Sequence, residues 1–166
     1  MSVWAILAIV VGSAAAMEVV AWAAHRYIMH GPAWAWHRDH HEPHDNALEK
    51  NDLFAIVGTV AALALFTAGW WWEPLWWGAV GVTVYGAIYT LIHDGLVHQR
   101  FWNWSPRKGY AKRLVQAHRL HHATVGREGG VSFGFVWARD PATLKADLKK
   151  QVAGGRAVVR ESRERV

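Results

Sequence analysis

The sequence predicts an all-α integral membrane protein, with about three transmembrane helices and short cytoplasmic helices that gather histidines at one membrane face. Three observations predict it. Apolar residues make up 52% of the 166 and are bunched into long stretches. Val3–Ala24 carries one charge, Glu18, while Leu53–Trp72 and Leu75–Ile92 carry none. Each is close to the ~20 residues a helix needs to cross about 30 Å of hydrocarbon, and a soluble chain of one-domain length has no room to bury three. Finally, ten of the eleven histidines fall into one spacing that occurs twice. The first copy is His25-x4-His30, then His37-x2-His40-His41, and the second is His93-x4-His98, then His118-x2-His121-His122. Only His44 stands outside the pattern.

Element by element, the first span is expected to continue as helix into His25 and His30, where Gly31-Pro32 ends it. It lacks a basic start and leads straight into histidines, unlike a signal peptide. Trp34–Glu42 reads as a short helix stopped by Pro43. Asn51 or Asp52 is placed to cap the second span. Pro74 breaks the connection between spans two and three. The third span runs on past Ile92 through His98. Phe101–Gly109 is turn-rich, and Tyr110–Ala123 reads as a second short helix. Val131–Trp137 is apolar but too short to cross, so it reads as re-entrant or as lying against the histidine layer. The charged tail from Asp140 is expected to form a solvated helix with a frayed end. The domain division is thus a membrane-embedded unit over 1–139 and a cytoplasmic tail over 140–166.

Orientation follows from the basic residues. No Lys or Arg occurs in the first 24 residues or in the Glu73-Pro74 connection, whereas Arg26, Arg38 and Lys50 follow span one and Arg100, Arg107, Lys108, Lys112, Arg113, Arg119 and Arg127 follow span three. The positive-inside rule puts the N-terminus outside and both basic segments, with every histidine and the C-terminus, in the cytoplasm of a multi-pass cell (inner) membrane protein. Trp70-Trp71-Trp72 and Trp76-Trp77 mark the opposite interface. The run Arg107–Arg113 fits anchoring on anionic lipid or docking of an acidic electron donor. The net charge of +5 does not point to nucleic acid, because the bases sit at the membrane face and no recognition fold is evident.

The histidine spacing is suited to metal. His37 and His41, four apart, share a helix face, with His40 on the same side; His118, His121 and His122 repeat this. Five residues separate by ~140° on a regular α-helix. So either the helix ends or unwinds between His25 and His30, and between His93 and His98, or the members of each pair serve different ions. Two five-histidine sets imply two metal ions, with ligands drawn from both halves and the partition open. The chain has no cysteine, and structural zinc sites are often cysteine-rich. The soluble Glu/Glu-x-x-His di-iron pattern is also excluded. Imidazole suits zinc, iron, copper and nickel alike, but two such sites at a membrane face point to redox chemistry on a lipid-soluble substrate. A metal transporter is a competing class, disfavoured because only span one has a mid-membrane charge.

These histidine sets resemble the histidine boxes of the membrane fatty-acid hydroxylase superfamily. The flanking words are more specific. His25-Arg-Tyr-Ile-Met-His30-Gly, His37-x2-His40-His41-Glu-Pro, His93-Asp-Gly-Leu-Val-His98-Gln-Arg, Pro106-Arg-Lys-Gly-Tyr110 and Gly130-Val-Ser-Phe-Gly-Phe135 look like its bacterial branch that hydroxylates β-carotene. The resemblance covers about residues 3–137. It implies a non-haem di-iron monooxygenase taking O2 as co-substrate and electrons from reduced ferredoxin. It also implies hydroxylation of β-ionone rings at C3, from β-carotene through β-cryptoxanthin to zeaxanthin, with the carotenoid drawn from the bilayer. Other members of the superfamily, acting on a fatty acyl chain, a sterol or a carotenoid ketone position, are the alternative enzymes.

Three further residues are candidates around the metals. Glu18 lies seven residues before His25 on the same face and ~10.5 Å deeper, too far to share its ion. It reads either as functional or as a buried acid hydrogen-bonded to a neighbouring span. Asp94 is placed to orient an imidazole from behind. Tyr89, with Tyr85, precedes His93 on its face and reads as helix packing, a channel wall or a donor to bound oxygen.

Overall fold

Along the three long helices many apolar side chains point outward, while the histidines of the protein are gathered inside. In a computed structural model describing residues 1–42, 46 and 48–160, Val11 is 65% and Trp70 82% exposed, while His25, His37 and His121 are at most 1% exposed. That inversion fits lipid as the surrounding medium.

Helix α1 spans Val3–Ala23 and continues through a π-helical turn at Ala24–Met29. The short helix α2 covers Trp34–His41. Helices α3 (Asp52–Gly69) and α4 (Glu73–Tyr89) form a hairpin, and α4 continues into a second π-helical turn, Thr90–Val97. Helix α5 covers Gly109–His121, and α6 covers Pro141–Ala153. The strands β1 (Thr124–Val125) and β2 (Val158–Val159) pair antiparallel. Among the described residues, three continuous helices are long and apolar enough to cross a membrane: Val3–Met29, Asp52–Gly69 and Glu73–Val97.

Of the three, α4 is central, packing against both α1 and α3. Its approach to α1 is close enough that a Cβ at Gly81 would strike Ser13 Oγ and the Val10 carbonyl, the small-residue contact by which membrane helices associate. Pro74 lies in the first turn of α4, where its missing N–H costs nothing; it begins that helix as well as ending the connection.

The sequence reading needs correction at two places, the cap of α3 and the tail. Neither Asn51 nor Asp52 caps α3 as expected. Asn51 is itself helical (φ −56°, ψ −28°), and its side chain turns away to His37. The Asp52 carboxylate instead accepts from the Glu49 N–H at 3.0 Å and from Arg100. Each His-x4-His pair does lie across the end of its helix, as one of the sequence alternatives has it: the π-helical turns close at Met29 and Val97, with His30 and His98 at the C-cap positions. The tail, finally, is not simply solvated and frayed. Leu144 and Leu148 of α6 are buried, and Leu144 joins Leu114, Ala117 and Ala138 in a cluster that ties α6 to α5. Beyond α6, β2 pairs with β1, and the Arg160 guanidinium donates to the His41 carbonyl. Two leucines four apart make an apolar stripe, which the surrounding charges masked. Pro43 and His44, which the sequence reading placed at a helix stop and outside the repeat, lie outside the described residues.

Candidate metal centre

The two His-x4-His pairs sit at the π-helical turns. There the His30 N–H donates to the His25 carbonyl at 3.0 Å and the His98 N–H to the His93 carbonyl at 2.9 Å, both i→i+5 bonds. A π turn inserts one residue into an α-helix and brings residues five apart onto one face. The pairs therefore converge where each helix ends, with ring centroids 5.1 Å apart in the first and 4.6 Å in the second.

Helix α2 lays three histidines over these turns, α5 lays two with His122 at its C-cap, and the ten rings gather into two groups. One holds His25, His30, His37, His41 and His121. The other holds His40, His98, His118 and His122, and His93 joins it, its Nε2 3.1 Å from that of His40. Each group thus takes four histidines from its own half and one from the other. The residues that cross, His40 and His121, occupy the same position in the two repeats.

The outward nitrogens decide the tautomers. His25 Nδ1 is 2.9 Å from the Phe133 carbonyl and His30 Nδ1 2.8 Å from the Arg127 carbonyl. His37 Nδ1 is 2.7 Å from Asn51 Oδ1, His40 Nδ1 2.6 Å from Glu49 Oε2 and His93 Nδ1 2.8 Å from Asp94 Oδ1. Carbonyls and carboxylates only accept, so each Nδ1 carries the proton and each Nε2 presents a bare lone pair. Yet the Nε2 atoms of His25 and His37, and those of His40 and His93, face each other at 3.1 Å. Two bare lone pairs at that distance repel unless a cation lies between them. With imidazole–metal bonds of about 2.0–2.1 Å, such separations suit adjacent ligands on one ion. The donor set therefore fits metal.

Burial keeps these imidazoles neutral. It pushes His37 and His98 down to about 4, and lowers His30, His40, His41, His118, His121 and His122 as well. Neutral imidazole is the form that ligates.

Around the rings, Asp94 stands behind His93 as the sequence placed it. Tyr89 stacks on His93 with centroids 4.7 Å apart and planes at 18°. Glu18 is a tether. Its Oε2 accepts from Tyr85 Oη at 2.7 Å, and its Oε1 accepts the N–H groups of Phe135, Val136 and Trp137 at 2.9–3.2 Å. The segment Val131–Trp137 lies against the histidines, with Phe135 stacked 4.9 Å from His25. Beside Phe133 is a cavity of about 260 Å³, lined by Trp22, Val131, Gly134 and Trp137 and also by Arg26, Ser132 and Arg139.

Sequence reasoning missed Glu49, Asn51, Asp52 and Arg100. Arg100 pairs with Asp52 at 2.8 and 3.0 Å and approaches Asp94 at 3.8 Å. The polar run Glu49-Lys50-Asn51-Asp52 ahead of an apolar span was the available signal. Of that run the sequence reading uses Asn51 and Asp52 as cap candidates and Lys50 for orientation, and leaves Glu49 aside.

Comparison with known proteins adds a second line of information. The fatty acid hydroxylase family pattern matches residues 10–139. A β-carotene hydroxylase of Paracoccus sp. (strain N81106 / MBIC 01143) is 60% identical over 144 residues, 85% of this chain and 89% of that one. A β-carotene hydroxylase of Pseudescherichia vulneris is 56% identical over 147 residues, 86% of this chain and 82% of its own. A chloroplastic β-carotene 3-hydroxylase of Haematococcus lacustris is 42% identical over 137 residues, 77% of this chain and 42% of its own. No solved structure matches significantly.

Proposed function

The chain belongs to the fatty acid hydroxylase family, and from that premise we propose that it is a di-iron monooxygenase that hydroxylates the β-ionone rings of β-carotene at C3, giving β-cryptoxanthin and then zeaxanthin. Identity of 50–60% to four bacterial β-carotene hydroxylases supports the substrate. The observation that carries the mechanism is the set of buried Nε2 lone pairs facing each other at 3.1 Å. His25, His30, His37, His41 and His121 would hold one iron; His40, His93, His98, His118 and His122 would hold the other. Bound iron supplies the oxidising power for an unactivated C–H bond, in the overall reaction RH + O2 + 2e⁻ + 2H⁺ → ROH + H2O.

The protein's own part is positioning and exclusion of water. The Nδ1 acceptors fix each ring so that Nε2 points inward. Phe133, Phe135 and Tyr89 pack against the histidines on the side of the spans. A ring leaving the bilayer would reach the centre by way of the cavity beside Phe133. A carotenoid is about as long as the hydrocarbon is thick, so one ring can lie at the histidine layer while the chain stays in lipid. The two ends are equivalent, and a second turnover needs only reversal or rebinding. Electrons would come from a reduced ferredoxin-type donor on the cytoplasmic side, an orientation that the basic residues of α5 and its approach support.

Expression in cells that accumulate β-carotene, followed by pigment analysis, tests the reaction. β-Cryptoxanthin and zeaxanthin are expected. Ketolated rings or unchanged β-carotene, with the protein present in the membrane, would overturn the assignment.

A further inference from the structure

The duplicated histidines are equivalent in sequence but not in what stands behind them. His93 donates through Nδ1 to the Asp94 carboxylate at 2.8 Å, whereas its counterpart in the first repeat, His25, donates to the Phe133 carbonyl at 2.9 Å. His40 donates to the Glu49 carboxylate at 2.6 Å, whereas the Nδ1 of its counterpart, His121, is buried with no partner among the described residues. Both carboxylate-backed rings belong to one group, and their Nε2 atoms are 3.1 Å apart. In the other group the acceptors are two backbone carbonyls and the Asn51 amide oxygen.

The two carboxylates are held together from behind. Asp52 accepts from the Glu49 N–H and is gripped by both terminal nitrogens of Arg100, one of which lies 3.8 Å from Asp94. Each group also has an arginine beside it, Arg160 on the His41 carbonyl of the first and Arg100 next to Asp94 in the second, so the difference between them lies in the carboxylates.

A full negative charge accepting from Nδ1–H raises the electron density at Nε2 more than a neutral carbonyl does, and so strengthens the metal bond. We propose that the two metal sites are unequal: the His40/His93 group holds its ion more tightly than the His25/His37 group, with Glu49 and Asp94 as the positioning residues responsible. This rests on the two-iron reading above and extends it, since the repeat alone predicts equal sites.

The test uses the purified, metal-loaded protein in detergent, challenged with graded EDTA, with retained iron measured by elemental analysis. Wild type is expected to release iron in two phases whose EDTA midpoints differ about 10–100-fold, the usual effect of such outer partners. Glu49→Gln and Asp94→Asn should each pull the resistant phase toward the labile one and leave the labile phase in place. Asn51→Asp, which puts a carboxylate behind His37, should make the labile phase more resistant. This gain keeps the test decisive if a loss variant folds poorly. Release of both irons in one phase would overturn the inference while leaving the two-iron reading intact. So would Glu49→Gln shifting both phases alike, or Asn51→Asp shifting neither. A single iron in active wild type would overturn the two-iron reading itself, and this inference with it.

Discussion

At the residue scale, a histidine's use is set by what its second nitrogen touches. In this protein Nδ1 is turned to a carbonyl, amide or carboxylate oxygen in His25, His30, His37, His40 and His93, which leaves Nε2 for metal. Alanine at His37, His41, His118 or His122 is expected to abolish hydroxylation and remove at least one metal per chain, with the protein still membrane-embedded. Pigment analysis and elemental analysis of the same preparation check this; full product from any of the four would remove that residue from the ligand set. Acid sensitivity follows from the same burial. His37 and His98 are held neutral down to about 4, against about 6.5 in the unfolded chain. Between those values the unfolded state binds more protons, so stability falls as pH drops from about 6.5 toward 4 and is unaffected by these groups above it. The midpoint of thermal unfolding of metal-free protein should therefore drop steadily across that window. A flat profile would show that these imidazoles are not buried and neutral.

At the element scale, the π turns and the Val131–Trp137 segment shape the centre. Helical periodicity on its own sets His25 and His30 about 140° apart, and one wide turn removes the conflict. Nothing in the apolar pattern marks that turn, because α and π backbones bury the same residue types. The segment was legible only as too short to cross. Its position is decided by Glu18, which accepts three consecutive N–H groups that would otherwise be left bare at the membrane. Glu18→Ala is expected to cost a few kcal/mol, at about 1–3 kcal/mol for a fully buried donor left unpaired and less for the part-buried N–H groups of Phe135 and Val136. Glu18→Gln, which keeps an acceptor oxygen, should cost less. The measurement is the thermal midpoint in detergent, in the order wild type, Gln, Ala. An Ala variant as stable as wild type would mean that water or lipid replaces the tether.

At the scale of the whole molecule, three spans support one histidine layer, and the tail is bound back onto it through α6 and β2. Because the chain has no cysteine, single introduced cysteines report topology cleanly. Ones at the N-terminus and near Glu73 should label from outside, and ones in the tail from the cytoplasm. Labelling from outside at a cysteine near Arg127 would turn the metal layer away from its electron supply and overturn the proposed orientation. The sequence by itself determined the three spans, the ten histidines and their duplication, because hydrocarbon thickness and ligand type are properties of local composition and spacing. Only the tertiary structure decided how the histidines divide, with His40 and His121 exchanged between halves. It also decided which carboxylates stand behind which ring, and that Leu144 and Leu148 bind the tail. Those are contacts between residues distant in the chain, and no local pattern specifies which of several polar or apolar neighbours a folded chain brings within hydrogen-bond or packing distance.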